Sequence, residues 1–137
     1  MIIKEIRTRH VRAPWVEPPV FGPVVPEARD ILVCEIETRS GIVGMGYLIL
    51  LRAGVPTVRA CLDELVIPQL IGRDATDIEG IWQHLWKANY WIGRMGVTVM
   101  AQSVIDIALW DALGKQTGFP LHRLWGHCND QVPAYGS

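Results

Sequence analysis

Two aspartates inside one strongly apolar stretch, Asp106 and Asp111, come nearest to acid and base chemistry in this chain. Five residues turn an α-helix by about 500°, which leaves these side chains roughly 140° apart around the axis. They therefore form no paired-carboxylate site unaided. Asp111 stands four residues before Lys115 in the favourable order, so a structural ion pair is the preferred reading. Asp63 and Glu64 diverge by about 100° and read as a solvated helix face. His122, His127 and Cys128 offer three donors near a helix end. Asn129 and Asp130 beside them read as a turn, and no second cluster stands at ligand spacing, so zinc is disfavoured. In Gly41-Ile-Val-Gly-Met-Gly46 the glycines precede more strand instead of opening a helix. A phosphate loop would need that helix N-terminus. Lys4, Arg7, Arg9 and Arg12 make the first segment basic, yet only Trp15 is near enough to stack a base, so a charged edge strand is preferred over a nucleic-acid surface. Trp82 and Trp86, one turn apart, and Trp91, Trp110 and Trp125 are assigned to packing. These spacings assign no catalytic and no metal-binding residue.

The composition narrows the function classes further. With 137 residues, half of them apolar, 20% charged and a net charge of -1, the chain has the material for one core and no bulk attraction to nucleic acid or membrane. The start, Met1-Ile-Ile-Lys-Glu-Ile-Arg7, lacks the apolar run of a secretion signal, and the longest apolar run, Tyr47 to Leu51, is too short to span a bilayer. Cys34, Cys61 and Cys128 are scattered and odd in number, which suits reduced thiols in a cytoplasmic protein.

Periodicity supplies the elements. Ile2, Ile6 and Val11 alternate with polar residues in a first strand that Pro14 ends. A proline-rich segment from Val16 to Arg29 lacks backbone donors and reads as a long loop carrying Val16, Val20, Phe21, Val24 and Val25, a lid awaiting a partner surface. Leu32, Cys34 and Ile36 alternate in a second strand, Ser40-Gly41 turns, and Ile42 to Leu50 returns. Gly44 and Gly46 within that return predict a bulge or the close approach of another backbone. Beyond Pro56 the period becomes helical: Val58, Cys61, Leu62, Leu65 and Gln69 share one face, and Gly72 stops it. A second helix is capped by Asp77 or Thr76, with Ile78, Trp82, Leu85 and Asn89 inward. The third runs from about Val97 to Lys115 with Met100, Val104, Ile107, Ala108 and Asp111 on one face, is apolar almost all round, and ends at Gly118. Pro120 starts a short helical turn through Leu124. The result is an α+β fold, a three-stranded antiparallel meander followed by a helical bundle.

In this order, the hairpin with Gly41-Ile-Val-Gly-Met-Gly46, Leu70-Ile-Gly-Arg-Asp-Ala-Thr-Asp-Ile-Glu79, Ile105-Asp-Ile-Ala-Leu-Trp-Asp-Ala-Leu-Gly-Lys115 and Pro120-Leu-His-Arg-Leu-Trp-Gly126 resemble the mandelate racemase/muconate lactonizing enzyme group of the enolase superfamily. The resemblance covers essentially the whole chain and is strongest toward mandelate racemase and the acid-sugar dehydratases. It implies a capping domain over residues 1–126, with 127–137 a linker and the first strand of a TIM-like barrel whose remainder, roughly 200 residues, is absent. It also implies a parent enzyme, a magnesium-dependent racemase or dehydratase of hydroxy acids or acid sugars. A Lys or His base removes the proton next to the carboxylate and magnesium stabilises the enediolate. The bases and metal ligands come from later barrel strands, so this chain is expected to bind no magnesium and to be inactive alone. Two loops, Val16 to Arg29 and Tyr47 to Val55, would shape the substrate pocket through Phe21, Val24 and Leu51, with Ser137 at the end of the barrel strand. The missing barrel is the implied partner and a homo-oligomer the implied assembly. The competing class is a stand-alone binding or assembly module that reuses the cap fold.

Overall fold

The computed structural model describes residues 1–19, 23, 25–50 and 53–135. Three strands, β1 (Ile3–Pro14), β2 (Ala28–Thr38) and β3 (Val43–Leu50), form an antiparallel meander in the order β1-β2-β3. Helices follow: α1 (Val55–Cys61), α2 (Ile78–Ala88), α3 (Val97–Thr117) and the single turn α4 (Leu121–Leu124). The α+β expectation holds. β2 begins at Ala28, opposite Pro14, so the first connection is shorter than the proline pattern suggests. Tyr47 to Leu50 belong to β3 and Val55 to α1, which shortens the second connection to 51–54.

Strand alternation sends Leu32, Cys34 and Ile36 inward, all fully buried, against the helices. Gly44 and Gly46 of β3 lie on the same inner face, and both meet α3. A Cβ on Gly46 would press on the Val104 carbonyl oxygen and stand 2.9 Å from the Ala108 nitrogen. One on Gly44 would press on the Ala108 carbonyl oxygen and stand 2.7 Å from the Cβ of Ala112. Of the two outcomes the glycines allowed, close backbone approach is the one realised. At this distance the helix can present only small or flat-lying groups, and its buried residues include Ala101, Ala108 and Ala112.

That crowding corrects the inward face of α3. Val104 and Ala108 are buried as expected, but Met100 and Ile107 are exposed, and Ala101, Ile105, Leu109 and Ala112 take the core. None of the six tryptophans is fully buried either; Trp91 is 91% exposed, and Trp110, half-buried against the core, meets Trp125 edge-on at 5.4 Å. An indole has no room where a helix backbone touches a sheet backbone. Trp82 is displaced from the α2 core face by Ile81, which is 2% exposed. By length and composition α3, with 21 residues, is the described helix that could cross a bilayer. Here its apolar residues pack on β3, β2 and α1.

Local chemistry sets the ends. Asp77 caps α2, accepting from the Gly80 backbone at 3.2 Å, as predicted. After Cys61 the α1 helix widens into a π turn (Leu62–Val66) and tightens into a 3₁₀ turn (Ile67–Gln69). Pro68 has no N–H to continue an α ladder. Gly118 closes α3 with φ 70°, and Pro120 precedes α4.

The N-terminus is tied to the 72–75 turn. The Met1 amine bonds Asp74 Oδ1 at 2.6 Å, Ile3 N donates to Arg73 O at 2.8 Å, and Gly72 N returns to Ile3 O at 2.9 Å. The amine first, then the backbone and hydroxyl of Thr76, hold the Asp74 carboxyl at about 2. A carboxyl depressed by folding stabilises the fold above its unfolded value near ~4 and loses that contribution as pH falls through its folded value. Thermal melting followed from pH 5 downward should therefore show an acid decline that is shallower in Asp74→Asn; parallel curves would mean the tie is not formed.

Cys34 is fully buried and burial pushes its thiol up to about 12, while burial also raises Cys61; Cys128 is exposed. A thiol-specific reagent should label Cys128 rapidly and reach the other two only on unfolding. Fast labelling of two or three thiols in the native protein would contradict this packing.

Candidate functional site

The sheet places two connections side by side. β1 ends at Pro14 opposite Ala28, and β3 ends at Leu50 opposite Asp30, so the 15–27 and 51–54 connections leave the same end of the sheet within two residues of each other. That end is the candidate site.

Its base is a set of paired charges. His10 Nε2 meets Asp30 Oδ1 at 2.7 Å, while Arg12 reaches Glu27 at 3.2 Å and Asp30 at 3.9 Å. A cleft of about 290 Å³ opens between Arg12, Pro14, Glu27 and Ala28. Beside it the Arg29 guanidinium lies 3.7 Å from the centre of the Trp15 ring, a cation–π contact that fixes the root of the longer connection. The Trp15 Nε1–H is buried and has no hydrogen-bond partner among the described residues. Val16 is 99% exposed and Val25 51% exposed. Glu27 and Asp30 each already face a cation, so what this end of the sheet offers is positioning and apolar contact.

Phe21, Val24, Leu51 and Ser137, expected at the substrate, lie outside the described residues. Residues 131–135 are exposed and belong to no strand, with Val132 77% and Tyr135 91% exposed. The sequence reading weighs Arg12 and Trp15 only as parts of a nucleic-acid surface and passes over His10 and Arg29, because the proximity of these four residues depends on register. The signal was present: counting back from the Ser40-Gly41 turn sets β2 against β3, and the proline-bounded ends then align β1.

The other proposed groups separate. Asp111 accepts from Met45 N at 2.7 Å and pairs with Lys115 at 2.6 Å, and Lys115 donates to Val43 O at 2.8 Å. The predicted ion pair is present and also fastens the free edge of β3. Asp106 points elsewhere, into a cavity of about 330 Å³ with Ile78, Glu79, Trp82 and Trp110; burial first, and Glu79 second, raise its carboxyl. The His122 and His127 rings meet edge-on at 5.1 Å, and His127 bonds Asp130 at 2.9 Å. Among the described residues no three His, Cys, Asp or Glu side chains converge to hold a metal ion. The basic residues of β1 are matched across the sheet, Lys4 with Glu37, Arg7 with Glu5, Glu35 and Glu37, and Arg9 with Glu35. Lys4 and then Arg7 lower the Glu37 carboxyl. A neutralised row of this kind offers little to a phosphate backbone.

With this geometry in place, residues 4–126 match the family described as mandelate racemase/muconate lactonizing enzyme, N-terminal domain. The chain belongs to that family. It is 45% identical over 108 residues to D-mannonate dehydratase of Xanthomonas oryzae pv. oryzicola, an alignment covering 73% of this chain and 25% of that enzyme. Among solved structures it is similar to L-talarate dehydratase from Polaromonas sp. JS666 complexed with Mg and L-glucarate. The TM-score is 0.86 at 33% identity, covering 96% of this chain and 36% of that one. It is equally similar to a racemase from Streptomyces coelicolor A3(2) with bound magnesium, with TM-score 0.86 at 32% identity, covering 91% and 35%. The chain thus spans about a quarter to a third of the length of these mandelate racemase/muconate lactonizing enzyme relatives.

Proposed function

We propose that this chain is the capping, specificity-determining part of a magnesium-dependent racemase or acid-sugar dehydratase that removes the proton next to a carboxylate. The observation that carries the reading is the convergence of the 15–27 and 51–54 connections at one end of the sheet. Phe21, Val24 and Leu51 would face substrate from these loops, and Ser137 from the first barrel strand, with 127–137 leading into that barrel. The described residues fit no magnesium site. Magnesium, base and acid belong to the barrel, and the 137-residue chain alone is inactive. The relatives named for mannonate, talarate and glucarate support an acid-sugar substrate. Buried, unpaired cysteines support a cytoplasmic location, and the exposed apolar strand residues Met45, Tyr47 and Ile49 support a homo-oligomer.

The coding sequence beyond codon 137, together with the intact mass of the protein from its own cells, tests the reading. Continuation into a barrel with acidic residues at successive strand ends is expected. A native product of 15.4 kDa would favour the stand-alone module instead. In the longer protein, Phe21→Ala with Leu51→Ala should lower kcat/KM by about tenfold or more and leave magnesium affinity unchanged; unchanged kinetics on every acid would remove the loops from the site.

A further inference from the structure

Helices α2 and α3 each bring one carboxylate and one indole to a shared cavity. Glu79 and Trp82 stand three residues apart on α2, and Asp106 and Trp110 four apart on α3, so each pair shares a helix face. With Ile78 they line a space of about 330 Å³, and no Lys, Arg or His is among the lining residues. Its walls are held in place. The buried Gln102 amide donates to Trp82 O at 2.9 Å, Gln83 donates to Glu79 at 2.9 Å, and Trp125 packs edge-on against Trp110 at 5.4 Å.

Asp106 is the acid that the rest of the chain leaves unmatched. Five described acids are half-buried, and four of them face a cation: Asp30 faces Arg12, Glu35 Arg9, Glu37 Lys4 and Asp111 Lys115. Asp106 has a second carboxylate as its charged neighbour, and burial first, then Glu79, raise its own carboxyl. Elsewhere the chain covers its indoles with guanidinium groups, Arg29 over Trp15 at 3.7 Å and Arg94 over Trp86 at 5.4 Å. Among the described residues no guanidinium reaches Trp82 or Trp110.

We propose that the cavity between α2 and α3 is a binding site for a guanidinium group carried on a short alkyl arm. A guanidinium is planar and weakly hydrated, so its face stacks on an indole while its edge donates to carboxylates. Glu79 and Asp106 supply those acceptors as charge-assisted bonds, and Ile78 supplies apolar contact for the arm. Calcium would need about six to eight oxygen ligands, which two carboxylates and two indoles do not furnish. An ammonium is more strongly hydrated and presents no flat face, so the indoles favour the guanidinium over it. The volume lies at the low end of the ~300–1,000 Å³ of small-molecule pockets, which suits a single such group. The inference goes beyond the capping reading, since it uses residues of neither substrate loop.

Titration of the 137-residue chain with N-butylguanidinium chloride, followed by NMR of the indole N–H signals, tests it. The Trp82 and Trp110 signals should shift together and saturate. N-Butylurea, of the same shape but neutral, should bind about tenfold or more weakly, and so should the cation to Asp106→Asn. Glu64→Gln, which removes an exposed acid outside the cavity, should leave the affinity unchanged. Asp106→Asn should also raise the melting temperature of the unliganded chain at pH 7, because a carboxylate whose folded pKa is raised weakens the fold once ionised. A structural role for Asp106 predicts a lower melting temperature. Non-saturating shifts, equal binding of the urea, or an Asp106→Asn variant that binds as the parent does or melts below it would overturn the proposal. None of these outcomes bears on the capping reading, because the short chain is tested without a barrel.

The same titration on the chain continued in frame beyond residue 137 separates the two sources of the group. Binding that persists assigns the site to a free guanidino compound. Binding that is lost, with both indole signals already at their bound positions, assigns it to an arginine of the continuing chain. Lost binding with the signals at their free positions overturns the site in the longer protein.

Discussion

Gly46→Ala is expected to destabilise the domain by about 3 kcal/mol or more, enough to remove much of the stability of a chain this size. The methyl group would press on the Val104 carbonyl oxygen, 2.9 Å from the Ala108 nitrogen and 3.2 Å from the Val104 carbonyl carbon. Every one of these neighbours is backbone. No truncation of a side chain on α3 can make room, so the helix must rise off the sheet, exposing the core around Ile36, Ile105 and Leu109. Gly44→Ala differs in one respect, because Ala112 Cβ is among its neighbours. Ala112→Gly should rescue Gly44→Ala in part and Gly46→Ala hardly at all. Thermal or urea unfolding of these variants beside the parent measures this. A Gly46→Ala domain within about 0.5 kcal/mol of the parent, the range of a neutral surface change, would mean that α3 does not lie on β3 as described.

The second large effect is expected from Asp111→Ala, at about 1–2 kcal/mol. The carboxylate accepts from Met45 N and pairs with Lys115, whose amine also bonds Val43 O. Removing it strands a β3 edge donor and leaves Lys115 with only the carbonyl. Asp111 is about one-third exposed and Lys115 half exposed, so solvent screening keeps the loss well below that of a buried pair. A freed edge strand also invites strand addition by another molecule. Light scattering on heating should therefore rise earlier in Asp111→Ala than in Lys115→Met, which keeps the carboxylate on Met45. Equal stability and equal scattering would reduce the pair to a surface contact.

The sequence disclosed most where one residue type had one physical reason. Glycine at 44 and 46 in a strand signalled a close neighbour, aspartate at 77 signalled a cap, and Asp111 four before Lys115 signalled a pair; each is present. It disclosed least where many faces looked alike. α3 is apolar nearly all round, so periodicity could not choose between Met100 and Ala101, or between Ile107 and Ile105. The choice came from the crowding at the two glycines, a long-range constraint. The π turn after Cys61 also escaped notice, although Pro68 supplied a reason for irregularity. At the candidate site, the loops were legible from their prolines, whereas the His10, Arg12 and Asp30 network depended on the strand register. The apolar outward face of β3 reads in sequence as an undivided apolar run, and only pairing shows that Met45, Tyr47 and Ile49 share its solvent side.

The central proposal is that this chain caps and selects while the chemistry resides elsewhere. Its most direct test is turnover of acid sugars such as mannonate, talarate and glucarate by the purified 137-residue protein with magnesium, beside the same chain continued in frame into its barrel. No product above buffer is expected from the short chain, and magnesium-dependent racemisation or dehydration is expected from the long one. Sustained turnover by the short chain, abolished when magnesium is chelated, would contradict the proposal.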